Sequence, residues 1–339
     1  MKKTFLLLAL AALIGLMLLA IGFGSIDISF ATIIAAIKNL IRNGVDGIDF
    51  TDPIHFIIFE VRLPRIILSV LTGGLLAMAG ASYQAIFQNP MADPFVMGVS
   101  SGAAFGATMA IVFLPATSFF GHTLVSLSAF ACAIITSLIV YTVSRTKRGV
   151  DNYSVLLTGI VISAILSSAI SLIMMVHRDE AMSIITWTMG SFNAKSWIHV
   201  GTIFIPTLIA FIVTIYHGKD LNLLVMGEEE AISMGLDVKK LKRNLLLLSA
   251  LLTSLAVSVS GIIGFVGLIV PHFIRLIFGG DHKFLMPASM IVGGIFMLLA
   301  DTLARSLISG FELPVGIITS LIGGPLFMVL LIKHKRSLQ

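Results

Sequence analysis

Ten stretches of this chain run for roughly twenty residues each with almost no charge, the length that spans the hydrocarbon core of a bilayer. They fall at 4–23, 56–81, 95–113, 123–143, 154–176, 197–216, 241–262, 264–278, 284–307 and 314–332. No soluble core could absorb them all. Charged residues make up only 12% of the 339 residues, and apolar ones 57%, where soluble domains carry roughly 25% charge. The expectation is an all-α polytopic membrane protein with ten transmembrane helices, the whole of 1–339 forming a single transmembrane domain. The eighth stretch is short, and Pro271, which has no N–H to donate, is expected to break it. The N-terminal apolar run exceeds the usual 7–15-residue core of a signal peptide and is read as the first span.

Lysines and arginines set the orientation. With Lys2 and Lys3 inside, only Lys38, Arg42, Arg62, Arg65, Arg178, Lys195 and Arg305 fall outside, and the other fifteen of the 22 lie on the cytoplasmic side. Losing one span would put Lys333, Lys335 and Arg336 outside, so the count is expected to be even and both termini cytoplasmic. The net charge of +5 resides in loops and forms no basic, aromatic-interleaved surface for nucleic acid. Cys132 is the single cysteine, which excludes a disulfide framework and a cysteine metal site. An amphipathic stretch from Phe30 to Ile41 is expected to lie at the outer interface.

The segment from 61 to 106 is unlike a lipid anchor. Arg62 and Arg65 bracket Pro64, and the span that follows ends in the polar, proline-flanked turn Gln88-Asn89-Pro90-Met91-Ala92-Asp93-Pro94. Such punctuation is tolerated where backbone is buried in protein or lines a watery path. Gly73, Ala77 and Ala81 share one helix face, as do Gly98, Gly102 and Gly106; small residues at this spacing let helices approach closely. Gly98-Val99-Ser100-Ser101-Gly102 has the letters of a hydrolase nucleophile elbow but no strand before it. There is no phosphate-binding glycine loop, so ATP-driven transport would need a motor on another polypeptide. Asp301 lies near a span end, four residues before Arg305, close enough to pair with it on one helix face; a lone buried carboxylate gives little support to an ion-coupled secondary transporter.

A second informative region joins the sixth and seventh spans. Glu228, Glu229 and Glu230 suit a helix start, Gly235 its end, and Asp237 the cap of a further helix. A short helix, a turn and another helix, at about 224–240, are therefore expected on the cytoplasmic side, with Met226, Ile232, Met234 and Leu236 as an apolar face for a partner.

In these residues the chain resembles the FecCD-type permeases, the membrane subunits of ATP-binding-cassette importers for iron-siderophores, haem and cobalamin. The matching pieces are Arg62-Leu63-Pro64-Arg65, 84–94, 98–103, 226–237, the run from Gly261 through Gly267, Pro271 and His272 to Arg275, then Asp281-His282, Asp301 with Arg305, and Glu312-Leu313-Pro314. The resemblance covers the chain from about residue 56 to its end. It implies the type II ABC importer permease architecture in the cytoplasmic membrane of a bacterium or archaeon. It also implies a second copy of the chain, with the path along the dimer axis, two separate ATPase subunits that bind ATP and Mg, and an extracytoplasmic substrate-binding protein. No cofactor is implied in this chain, and no covalent chemistry. Carried over by residue, Arg62, Arg65 and Arg305 meet acidic residues of the binding protein. Asn89, Pro90 and Met91 form a cytoplasmic gate, with Met91 in place of a commoner leucine, and Gly227, Glu228, Ala231, Met234, Gly235 and Leu236 couple to the ATPase. The cargo expected is an iron-siderophore or related metal chelate, with haem and cobalamin as alternatives.

Overall fold

A backbone in apolar surroundings must close its hydrogen bonds within each segment, and this chain does so almost wholly as helices. A computed structural model describes residues 1–24, 28–44, 48–114, 121–146, 149–308 and 310–337; Lys147 and Arg148, counted above among the internal cations, lie outside the described residues. In order the helices are α1 (Lys2–Gly22), α2 (Phe30–Asn43), α3 (Pro53–Ile86), α4 (Val99–Phe113), α5 (Gly121–Val143), α6 (Asn152–Val176), α7 (Ala181–Thr188), α8 (Trp197–Tyr216), α9 (Gly218–Met226), α10 (Glu228–Ser233), α11 (Val238–Ser260), α12 (Val266–Phe278), α13 (His282–Ser306) and α14 (Val315–Ser337). A small antiparallel hairpin between α5 and α6, β1 (Arg145–Thr146) and β2 (Gly149–Val150), sets Arg145 opposite Val150. Among the described residues seven helices are long and apolar enough to cross a membrane, and α4, α12 and α14 contribute shorter apolar segments. Together these account for the ten expected spans. The amphipathic stretch is α2, capped by Ser29, with Ile33 and Ala36 turned inward and Phe30, Ile34 and Ile41 exposed.

The hub is α3. Its apolar window is 83% buried, against 11% for α6, because α8, α11, α12 and α13 all pack around it. Small residues permit that crowding. A Cβ on Gly73 would strike the Gly293 carbonyl of α13, and one on Gly80 the Gly267 carbonyl of α12. On the second small-residue face, Gly102 and Gly106 sit against Thr136, Cys132 and Ser128 of α5. These contacts are the close packing that the spacing foretells.

Three boundaries differ from the sequence reading, each for a local reason. First, α3 starts before 56 and continues past 81 to Ile86. It opens through a wide turn over Ile57–Arg62, where the Leu63 N–H reaches back to the Ile58 carbonyl; Pro64 cannot supply the next amide bond, and a register change accommodates it. Second, the third span begins at Val99 rather than 95. Asp93 accepts from the Phe95 amide at 2.8 Å and caps a single 3-10 turn, Pro94–Met97, after which Gly98, at φ +69°, redirects the chain. Third, Pro271 does not break α12. The carbonyl it leaves without an amide partner, that of Gly267 four residues back, accepts instead from Gln84 Nε2 at 3.3 Å, and the neighbouring Leu268 carbonyl accepts from the same nitrogen at 3.1 Å. A buried glutamine on α3 thus supplies the missing donor. The break falls earlier, between α11 and α12, where Gly261 and Phe265 both take positive φ.

Candidate functional site

At one end of the bundle, α3 brings Arg62 and Arg65 to its N-terminal part, α13 carries Asp301 and Arg305 in its last turns, and Glu312 follows on the link to α14. All three arginines are buried, at 4 to 5% exposure. Arg65 Nε donates to both Asp301 carboxylate oxygens, at 3.0 and 3.1 Å, and its Nη2 lies 2.9 Å from Oδ1. Its Nη1 donates to Glu312 Oε2 at 2.8 Å. Arg65 therefore bridges two carboxylates from distant parts of the chain. Asp301, fully buried, pairs primarily with Arg65 rather than with Arg305, whose Nε is 3.7 Å from Oδ2. Spacing on one helix identified the looser partner, and the tighter one lies 236 positions away.

The other two guanidiniums turn toward α1. Arg305 Nη2 donates to the Ala20 carbonyl at 2.6 Å, and Arg62 Nη1 donates to the carbonyls of Ile21 and Gly22. These oxygens end α1 without intrahelical amides, where the helix dipole places partial negative charge. Two cations thus cap the first span, which the family motifs did not reach. The side chains of Arg62, Arg65 and Arg305 accordingly face into the fold, which the charge count in the sequence could not disclose. Burial demands partners for each charge, and the structure supplies them.

At the opposite end lie the proline-flanked turn and the protruding helices. Asn89 Oδ1 accepts from the Met91 amide at 2.9 Å, and the Asn89 carbonyl accepts from Ala92 N at 3.1 Å, so the turn braces itself around Pro90. Asn89 is exposed, Pro90 and Met91 half-buried. Gln88, held at φ +49°, donates Nε2 to the Leu224 carbonyl of α9 at 2.8 Å. The turn is therefore bonded to the segment that leads into α10.

That segment has the expected local form. Three glutamates open α10, Gly235 (φ +86°) follows its end, and Asp237 accepts from the Lys240 amide at 3.0 Å to cap α11. Of the residues named for coupling, Ala231 is fully buried and Glu228 pairs with Lys242 at 2.6 Å, so both fasten α10 to the bundle. Met226, Ile232 and Met234 are 59 to 64% exposed and present the apolar face; Leu236 is half-buried. Asn222 ties α9 to α13, donating to Asp281 at 2.8 Å and accepting from the His282 amide at 2.7 Å. That bond is the main reason the Asp281 carboxyl sits below the usual range. Sequence reasoning missed Asn222, Gln88 and Lys242 as anchors. Gln88 lies inside a quoted motif, and the sequence signal for Asn222 and Lys242 was their nearness to one.

Ser100 does not sit on a strand-to-helix elbow. A 3-10 turn, not a strand, precedes it, and its neighbour Ser101 donates to the Gly98 carbonyl at 2.9 Å.

A bundle of apolar helices, clamped by charge at one end and extending a helix pair with exposed methionines at the other, is the fold of a membrane transport subunit. The chain belongs to the FecCD transport family, whose pattern it matches over residues 11–333, and it is a permease of the ABC importer class. It is 37% identical to the hemin transport system permease protein HmuU of Yersinia pestis, over 96% of this chain and 95% of that one. To the cobalamin import system permease protein BtuC of Halobacterium salinarum it is 41% identical, over 81% of this chain and 73% of the relative. An ABC transporter of metal-chelate type, solved in an inward-facing conformation, superimposes with a TM-score of 0.83 at 33% identity, covering 98% of this chain and 99% of that one. The all-α, type II importer architecture expected from the motifs is thus the one observed.

Proposed function

We propose that the chain acts as one permease domain, paired with a second copy of itself, and moves an iron-siderophore or related metal chelate into the cytoplasm. Two separate ATPase subunits bind the ATP and Mg, and this chain catalyses no covalent step. An extracytoplasmic binding protein delivers the cargo to the outer end, where three guanidiniums against two carboxylates leave a net positive field that draws acidic side chains. Both termini lie in the cytoplasm of a bacterial or archaeal cell. The turn at Asn89, Pro90 and Met91 closes the inner end, and α10 carries the motion of the ATPases to it.

The observation that supports this reading most is the exposed Met226, Ile232 and Met234 on and flanking α10, which Ala231 and Glu228 fix to the bundle. A fixed helix with an uncovered apolar face suits a partner that must push on it. Nucleotide then drives alternating access by binding two global states unequally. Names of the relatives keep haem and cobalamin as alternative cargoes. Proteoliposomes containing the permease, its ATPase and its binding protein test the reading: chelate accumulation should require ATP. Accumulation on a proton or sodium gradient without the ATPase would overturn it.

A further inference from the structure

Beside the outer clamp lies a cavity of about 370 Å³ that the clamp does not explain. Its walls are α7, the link from α7 to α8, the end of α11 and the residues before α14. The backbone around it is pinned. Ser191 N donates to the Ser260 carbonyl at 2.7 Å, and a Cβ on Gly190 (φ +73°) would meet the Ile262 carbonyl. Ala194, at φ +55°, turns the link beside Lys195.

Three donors lining this space are unused. Among the described residues, no hydrogen bond or ion pair holds the Lys195 ammonium, the Asn193 carboxamide or the Ser183 hydroxyl. Protein crowds the ammonium, and that burial pushes its pKa down to about 8. Glu312 is the one other titratable group on the walls, and Arg65 already neutralises it. Lys195 is half-buried and Asn193 and Ser183 are exposed, and a cation held against protein without an ion-pair partner gains from an anion placed beside it. Trp187 adds a broad, partly exposed ring to the same wall. Anion donors beside an aromatic face suit a ligand with charged oxygens on an apolar or metal-bearing body.

We propose that this cavity is an entry subsite for an anionic metal chelate, in which Lys195, Asn193 and Ser183 bind a carboxylate-type oxygen group of the cargo against Trp187. The inference rests on the importer reading and narrows its cargo to anionic chelates.

The chain has two tryptophans, so a Trp197→Phe background leaves Trp187 as a reporter inside the cavity wall. The purified full-length protein in detergent is titrated with ferric citrate, which is anionic, and with neutral ferric tris-acetohydroxamate. Ferric citrate should quench Trp187 with an affinity that falls about tenfold or more in Lys195→Met and survives in Lys195→Arg, since a charge-assisted bond is lost in one and kept in the other. The neutral complex should bind more weakly and ignore the Lys195→Met change. Affinity for ferric citrate should also fall as pH rises through about 8, where the ammonium loses its proton, while Lys195→Arg stays flat. Equal quenching by both complexes, or an unchanged affinity in Lys195→Met, would overturn the subsite. Binding needs no ATPase, so a wild-type transporter without ATP-driven uptake would refute the importer reading separately.

Discussion

The two ends of the molecule handle exposure in opposite ways. At the end that carries the arginines, charged groups turn inward: Arg65 and Asp301 are each other's main partners, and Arg62 and Arg305 bond the end of α1. At the other end, apolar groups turn outward on α10 and its flanks. A buried charge is stable only when paired, so the arginine cluster is largely paired within the chain, serves as a clamp and keeps an excess of one positive charge. An exposed apolar face is satisfied only by a partner. The end richest in charge is therefore the more structural, and the end richest in methionine the more interactive.

Breaking the clamp should have the largest effect. Arg65→Met leaves Asp301 buried without its bidentate partner and Glu312 without its cation, and should cost about 3–5 kcal/mol. Thermal unfolding in mild detergent would read this as a large drop in midpoint and in monodisperse yield. Arg65→Met combined with Asp301→Leu removes the orphaned charge and should recover much of the loss. A wild-type midpoint in the single variant would show that the cluster is not a clamp.

The opposite signature is expected at the α10 end. Ile232→Asp with Met234→Asp alters exposed positions, so stability should move by less than about 0.5 kcal/mol. ATPase co-purification and transport should nevertheless collapse, because the interface would bury two charges without partners. Normal transport by this variant would remove α10 from the coupling pathway and erase the contrast between the two ends.

Much of this contrast was legible in the chain. Span count, the helix-turn-helix at 224–240 and the close helix faces follow from periodicity, capping residues and small-residue spacing, all of which are local. What stayed hidden was pairing across sequence. Nothing near Arg65 indicates that its carboxylate lies on α13, and nothing near Gln84 shows that it meets a carbonyl released by Pro271. The arginines were placed on the outer side by counting charge, but a charge count cannot tell an inward side chain from an outward one. Lys195 entered that same count as one outer cation among seven, and only the folded walls show that it lines a cavity without an ion-pair partner.

An intermediate effect tests the hub between the two ends. Gln84→Leu removes the donor to the Gly267 and Leu268 carbonyls and leaves buried acceptors open, at about 1–3 kcal/mol. Combining it with Pro271→Ala restores an amide opposite Gly267 and should recover part of the loss. Strictly additive changes, measured by urea or thermal unfolding of all four forms, would show that Gln84 and Pro271 do not compensate one another.

A smaller change in stability than at Gln84 is expected at Gln88, which links the proline-flanked turn to α9. Its side chain holds the Leu224 carbonyl while its backbone sits at φ +49°, a region that glycine enters without steric penalty. Gln88→Ala loses the bond and keeps the strained backbone, and should destabilise by about 1 kcal/mol. Gln88→Gly loses the same bond but relieves the backbone, so its stability should lie nearer wild type. Transport distinguishes the roles. If the bond transmits movement of α9 to the turn, both variants should hydrolyse ATP while importing less cargo per ATP, and by similar factors despite their different stabilities. If import per ATP instead follows stability, with Gln88→Gly close to wild type, the bond only positions the turn and the two ends communicate by another route.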